Sequence, residues 1–126
     1  MEQKFLICKR CGNIVAVVKE SGKPIACCGE PMQQLIPGTT DAAREKHVPV
    51  VEKDGNKVRV FVGGVTHPMA DEHYIEWVSL QTKNGTYSRR LSPSESPEAT
   101  FVLSDGDEPI IAYAYCNLHG LWSAEI

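Results

Sequence analysis

The sequence predicts a mainly β chain, a small N-terminal metal knuckle followed by an immunoglobulin-like β-sandwich. Three observations predict it. Four of the five cysteines (Cys8, Cys11, Cys27, Cys28) fall in the first 28 residues, whereas all four histidines come later, from His47 onward. Pro37-Gly38-Thr39-Thr40 lies between these stretches and has the composition of a linker. Beyond it the chain is a succession of short strand-like runs punctuated by Gly, Asn and Pro. Segments 1–36 and 37–126 are therefore expected to be separate domains.

Taken in order, residues 4–8 and 13–19 have the make-up of short strands flanking Cys11-Gly12, and Ser21-Gly22-Lys23-Pro24 supplies a turn before Cys27-Cys28. This is a metal knuckle on a hairpin. A segment below about 40 residues cannot bury enough apolar surface to fold unaided. Its ligands must supply folding free energy. After the linker, residues 41–46 suit one helical turn capped by Thr40 or Asp41. From His47 the pattern turns to strands. Val58, Val60 and Val62 alternate with Lys57, Arg59 and Phe61, and Asp54-Gly55-Asn56 and Asn84-Gly85 form hairpin turns. Residues 74–80, 86–91, 100–103, 110–115 and 121–126 supply further strands. About seven short strands over ~80 residues suit an immunoglobulin-like sandwich. Pro93, Pro97 and Pro109 are expected between strands, where they do least harm.

The net charge is -3, from 13 basic and 16 acidic residues, with no basic run, which argues against nucleic acid as a partner. The N-terminus meets Lys9-Arg10 after three apolar residues and a cysteine, so it offers neither a signal-peptide core nor a membrane span. A cytoplasmic location is expected. There cysteines stay reduced, and metal ligation becomes the default use of the cluster.

Cys8-x-x-Cys11 turns two thiolates onto one metal from a tight knuckle, and Cys27-Cys28 completes a tetrahedron of four sulfurs. Adjacent residues present their thiolates less freely than residues two apart, so a distorted tetrahedron is expected. Spacing alone does not separate iron from structural zinc. A redox disulfide fits less well, because that use of Cys-x-x-Cys belongs in a βαβ context.

The second constellation is His47, His67, His73, Cys116 and His119. Each residue alone is more often a surface or core side chain than a ligand. Jointly they use every histidine and the one remaining cysteine. Cys116-x-x-His119 has chelate spacing, Gly120 permits a sharp turn behind it, and His67-Pro68 lies in a loop entered through Gly63-Gly64. His47 and His73 each begin a strand-like run, at loop ends where ligands are commonly placed. Five protein ligands with one thiolate exceed the tetrahedral habit of zinc and leave iron one position short of octahedral. An anionic thiolate opposite that open position pushes electron density onto iron. Small, electron-poor oxygen species are the natural substrates. Beside the ligands, Lys46 would draw a small anion into a chain that is negative overall, and Glu45 would swing onto the vacant position after an anionic product leaves.

Several motifs together carry a resemblance: Cys8-x-x-Cys11-Gly-Asn-Ile-Val and Cys27-Cys28-Gly-Glu-Pro-Met, then Glu45-Lys-His-Val-Pro-Val, His67-Pro-Met, His73-Tyr-Ile-Glu-Trp, and Cys116-Asn-Leu-His-Gly with Trp122. Over almost its whole length the chain resembles desulfoferrodoxin, the two-iron class of superoxide reductase. The resemblance implies that residues 1–36 form a desulforedoxin-like, rubredoxin-like module whose four cysteines hold one iron, and that 37–126 form the superoxide reductase module. It implies two non-haem irons per chain, the second a ferrous ion with His47, His67, His73 and His119 around its equator and Cys116 axial. Superoxide binds at the sixth position, takes one electron, is protonated and leaves as hydrogen peroxide. Lys46 attracts and orients superoxide and helps deliver protons through water, while Glu45 ligates the oxidised iron. Rubredoxin or a similar external donor returns the iron to the ferrous state. The resemblance also implies a cytoplasmic homodimer that detoxifies superoxide under oxidative stress. Leu121 stands where several members have histidine, and Ser92 replaces a lysine before Pro93; neither removes a ligand. Two other functions fit the residues: a non-catalytic iron electron-transfer protein with a closed site, and a zinc-stabilised interaction module.

Overall fold

The computed structural model describes residues 2–126. The chain divides into two compact units, Met1–Ile36 and Pro37–Ile126.

In the first unit β1 (Lys4–Ile7) pairs antiparallel with β2 (Ile14–Val17), Leu6 opposite Val15, while β3 (Ala26–Cys27) and β4 (Glu30–Pro31) form a short ribbon. β5 (Gln33–Gln34) pairs with the other edge of β1, so the sheet order is β2-β1-β5. The second strand, expected over 13–19, stops at Val17, and Val18 is 99% exposed because nothing in the unit is large enough to cover it. Phe5 and Cys8 are the only buried side chains among the described residues of this unit. Burial of one phenylalanine contributes about 1.5–3 kcal/mol, far short of the ordering cost of some 35 residues. The thiol cluster must supply the remainder.

The second unit holds one helical turn, α1 (Arg44–His47), and seven strands: β6 (Pro49–Asp54), β7 (Lys57–Val62), β8 (Ile75–Thr82), β9 (Thr86–Arg90), β10 (Glu98–Val102), β11 (Pro109–Cys116) and β12 (Gly120–Glu125). They form two antiparallel sheets, ordered β10-β7-β6 and β12-β11-β8-β9. This is the immunoglobulin-like sandwich. The alternation in β7 turns Val58, Val60 and Val62 inward, each at most 1% exposed, against Val78 and Leu80 from β8 and Ala112, Ala114 and Cys116 from β11. The cysteine thus ends a core-facing row. Register slips where Tyr115 pairs with Trp77 but Cys116 with Ile75, leaving Glu76 as the extra residue of a β-bulge.

Three expectations are corrected. The helical turn begins at Arg44, and its N-cap is Ala43, which makes no side-chain cap; Thr40 and Asp41 lie too far upstream to reach its amides. His47 closes this turn instead of opening a strand, and β6 starts at Pro49. Pro109 is the first residue of β11, a position where its missing N–H costs little.

Candidate metal centres

In the first unit the amide of Gly12 donates to the Cys8 carbonyl (2.8 Å) and that of Cys8 to the Asn13 carbonyl (2.9 Å), closing the knuckle that carries Cys8 and Cys11. The adjacent pair is splayed by backbone conformation: Cys28 and Gly29 both have positive φ, 53° and 76°. This separates the Cys27 and Cys28 sulfurs by 4.0 Å, while Cys11 and Cys27 stand 3.6 Å apart. A metal with sulfur bonds of about 2.3 Å at the centre of a tetrahedron requires edges of about 3.8 Å. The four sulfurs lie within 4.8 Å of one another and all are free thiols. The Cys11 backbone N–H leads in lowering Cys8 to about 6, while hydrogen bonding from Cys11 and Cys8 pushes Cys28 up to about 12. Cys8 ionises readily, while Cys27 and Cys28 hold their protons more tightly. A cation at the centre releases them.

The second unit brings His47, His67, His73 and Cys116 together, their donor atoms within 4.8 Å of one another. His119 joins through Nδ1, 3.1 Å from His47 Nε2 and 3.8 Å from Cys116 Sγ. Four segments deliver the set: the end of α1, the 63–69 loop, the approach to β8, and the β11–β12 turn. That turn is sharp because Gly120 adopts φ 79°.

The ring geometry identifies the coordination figure. Neighbouring imidazole centroids are 4.7 Å (His47–His67), 4.7 Å (His67–His73), 5.1 Å (His73–His119) and 4.9 Å (His47–His119) apart, with planes crossed at 76–90°. Across the middle, His47 and His73 are 6.4 Å apart at 31°. Metal–nitrogen bonds of about 2.1 Å put ring centroids about 3.2 Å from the metal, so a square needs edges of about 4.6 Å and a diagonal of about 6.5 Å, whereas a tetrahedron needs about 5.3 Å throughout. The rings form a square. His47 Nε2 lies 3.2 Å from His67 Nε2, the edge expected of nitrogens sharing one ion.

Backbone carbonyl oxygens, which carry no signal in the sequence, fix the tautomers. His47 Nδ1 donates to Ala43 O (2.6 Å) and His67 Nδ1 to Pro68 O (2.7 Å), leaving both Nε2 atoms as bare donors toward the centre. His73 Nε2 is buried and has no hydrogen-bond partner among the described residues. A buried ring nitrogen without a partner in a square of three others fits a metal ion. Burial drives His67 down to about 4 and lowers His47 and His73, with the neighbouring imidazoles adding to it. The three rings are neutral and free to ligate at neutral pH. Cys116, fully buried, is pushed up first by burial and further by Glu76. Its proton leaves when a cation arrives.

Trp122 braces the square: its Nε1 donates to His119 O (3.1 Å), and its ring lies 5.1 Å from that of His47. Gly63 carries the other side, since a Cβ there would stand 2.6 Å from Glu45 O and 2.9 Å from Lys46 C. Glu45 and Lys46 themselves are exposed on α1. The Lys46 charge contributes to lowering both His47 and His73, and Glu45 O accepts the Val65 N–H (2.8 Å). Among the described residues, the Glu45 carboxylate makes no hydrogen bond to the five-residue cluster.

Comparison with known proteins adds the following. Residues 39–125 match the family model described as desulfoferrodoxin, and residues 2–35 match that of the desulfoferrodoxin N-terminal domain. The chain is 48% identical over 118 residues to a desulfoferrodoxin of Nitratidesulfovibrio vulgaris, covering 94% of this chain and 92% of the relative. The crystal structure of the superoxide reductase from Treponema pallidum superposes with a TM-score of 0.84 at 42% identity, over 99% of this chain and 100% of that one. A superoxide reductase (1Fe-SOR) from Giardia intestinalis superposes with a TM-score of 0.57 at 34% identity, over 65% of this chain and 97% of its own.

Proposed function

Because this chain belongs to the desulfoferrodoxin family, we infer from its geometry how it works as a superoxide reductase, an oxidoreductase with superoxide as substrate. It carries two non-haem iron ions. We assign one to Cys8, Cys11, Cys27 and Cys28, in a desulforedoxin-like module over 1–36, and the other to His47, His67, His73, His119 and Cys116, in a catalytic module over 37–126. The observation that supports this is the near-square set of imidazoles, whose nitrogens, with Cys116 close by, would supply five ligands to an ion and leave room for a sixth.

Bound there, the ferrous ion supplies one electron to superoxide, which with two protons becomes hydrogen peroxide. The residues do the rest. Ala43 O and Pro68 O hold the His47 and His67 tautomers so that no ring turns away between turnovers. The exposed ammonium of Lys46 concentrates the superoxide anion beside His47 and His73 and passes protons on through water. Glu45, one residue earlier, approaches the same position after product leaves. A rubredoxin or similar one-electron carrier restores the reduced state, and the enzyme acts as a homodimer in the cytoplasm, removing superoxide. No helix among the described residues is long and apolar enough to cross a membrane.

The test is stopped-flow mixing of the iron-loaded, pre-reduced chain with superoxide. One superoxide consumed and one peroxide formed per catalytic iron, without oxygen release, supports the assignment. A reduced chain that leaves superoxide untouched and binds neither azide nor cyanide has a closed site, and is an electron-transfer protein instead.

A further inference from the structure

The sheet registers set one row of side chains across all four strands of the larger sheet. Leu121 pairs with Tyr115, Tyr115 with Trp77, and Trp77 with Arg90. Strand alternation turns Cys116 into the core, so Tyr115, Trp77 and Arg90 lie on the sheet's outer face. There the Tyr115 and Trp77 rings stack, with centroids 5.5 Å apart and planes within 6°. Tyr115 is only 8% exposed, Trp77 is half-buried, and Arg90 is exposed on the edge strand β9. The neighbouring Arg89 is paired with Glu95, while Arg90 makes no ion pair among the described residues. Tyr115 is bonded directly to Cys116, the one sulfur of the histidine cluster. The row therefore runs from an exposed cation, through two stacked π systems and one peptide link, to a sulfur donor.

We propose that Arg90 and Trp77 form the docking point of an acidic one-electron carrier, and that Trp77 and Tyr115 conduct its electron to Cys116. The proposal rests on the superoxide reductase assignment above, which requires one electron per turnover from outside. The carrier is oxidised by one electron and the ferric site reduced by one; no bond forms or breaks. Charge complementarity selects the partner. The chain is negative overall at -3, so a negatively charged carrier is repelled in general and attracted where an unpaired arginine stands beside the aromatic pair. Buried aromatic anchors with an adjacent arginine are also the composition of interface hot spots.

The experiment uses the full iron-loaded chain and a rubredoxin of net negative charge as probe. Rubredoxin oxidation by the ferric chain, rubredoxin binding by titration, and superoxide consumption by the pre-reduced chain are measured for wild type, Arg90→Glu, Trp77→Leu and Trp77→Phe. Arg90→Glu is expected to weaken rubredoxin binding and slow its oxidation about tenfold at low ionic strength, an effect that fades with added salt. Trp77→Leu slows the oxidation while binding falls less, and Trp77→Phe, which keeps a ring in the stack, restores most of the rate. All variants consume superoxide normally once pre-reduced. Wild-type binding and electron transfer in both Arg90→Glu and Trp77→Leu would overturn the proposal. If the pre-reduced wild type leaves superoxide untouched while the two variants still lose electron transfer, the function assignment fails and this path stands.

Discussion

His47 and His73 face each other across the imidazole square, 6.4 Å between centroids and 31° between planes, while each stands nearly perpendicular to the rings beside it. On the assignment proposed above, Cys116 would approach an ion held by this square from one side and leave the other to a small anion.

Replacing the axial sulfur should be the most damaging single change. Cys116→Ser is expected to abolish superoxide reduction and the thiolate-to-iron absorption band, while the four-cysteine absorption of the N-terminal unit persists. Visible spectra of the oxidised variant beside stopped-flow traces check both parts, and a variant that reduces superoxide at the wild-type rate would remove Cys116 from the axial position.

Lys46→Ile should slow capture of superoxide without loss of iron, because it deletes charge and no ligand. About a tenfold fall in the second-order rate at low salt, converging on wild type as salt rises, is the expected pattern. A salt-independent wild-type rate would take Lys46 out of the mechanism. Ser92→Lys, beside Pro93, is the complementary gain: a raised low-salt rate is expected, and an unchanged one would show that this position lies outside the field felt by the substrate.

Gly63→Ala should unseat the histidine cluster from outside it. Its Cβ would meet backbone atoms of Glu45 and Lys46 at 2.6–3.1 Å, so the turn carrying His47 must move. We expect about 1–3 kcal/mol of destabilisation and weakened metal retention, read by urea unfolding and metal content. Wild-type values for both would mean that the loop yields freely.

Acid should destabilise the metal-free second unit in a defined direction. Burial holds His67 at about 4, below its ordinary 6.5, and lowers His47 and His73 as well. The unfolded chain therefore takes up these protons first. Stability is full above pH 6.5 and is lost as pH falls toward 4, by roughly 3 kcal/mol for His67 alone. Trp77 and Trp122, the chain's two tryptophans, lie in this unit and report its urea midpoint by fluorescence. A midpoint that rises on acidification would contradict the neutral-imidazole assignment.

The β-sandwich was legible because its signals are local: alternation in β7, hairpin turns at Gly55 and Gly85, and seven strand-like runs mirror the seven strands of the second unit. The clustering of these side chains was legible because all four histidines and the odd cysteine were accounted for together. The supporting contacts were not. Ala43 O and Pro68 O act through the backbone, so no side chain advertises them. Gly63 matters for what its missing side chain leaves room for, and the Glu76 bulge depends on a register between strands 40 residues apart. The helix start was misplaced because Thr40 and Asp41 are good capping residues in a segment whose geometry is set by His47 reaching back to Ala43.

The two sites also differ in when they can come into being. All four knuckle sulfurs lie between Cys8 and Cys28, so a ribosome releases that complete donor set before any histidine of the second cluster emerges. The imidazole square joins His47 to His119 across 72 positions and leans on Trp122, so it exists only after the last strand has docked. The knuckle is therefore expected to fold only as it takes up metal, whereas the sandwich, with an apolar core of its own, is expected to fold first and be loaded afterward. Iron scarcity during synthesis would therefore leave its mark in opposite ways: an unravelled N-terminus, and an intact but empty catalytic unit ready to be filled.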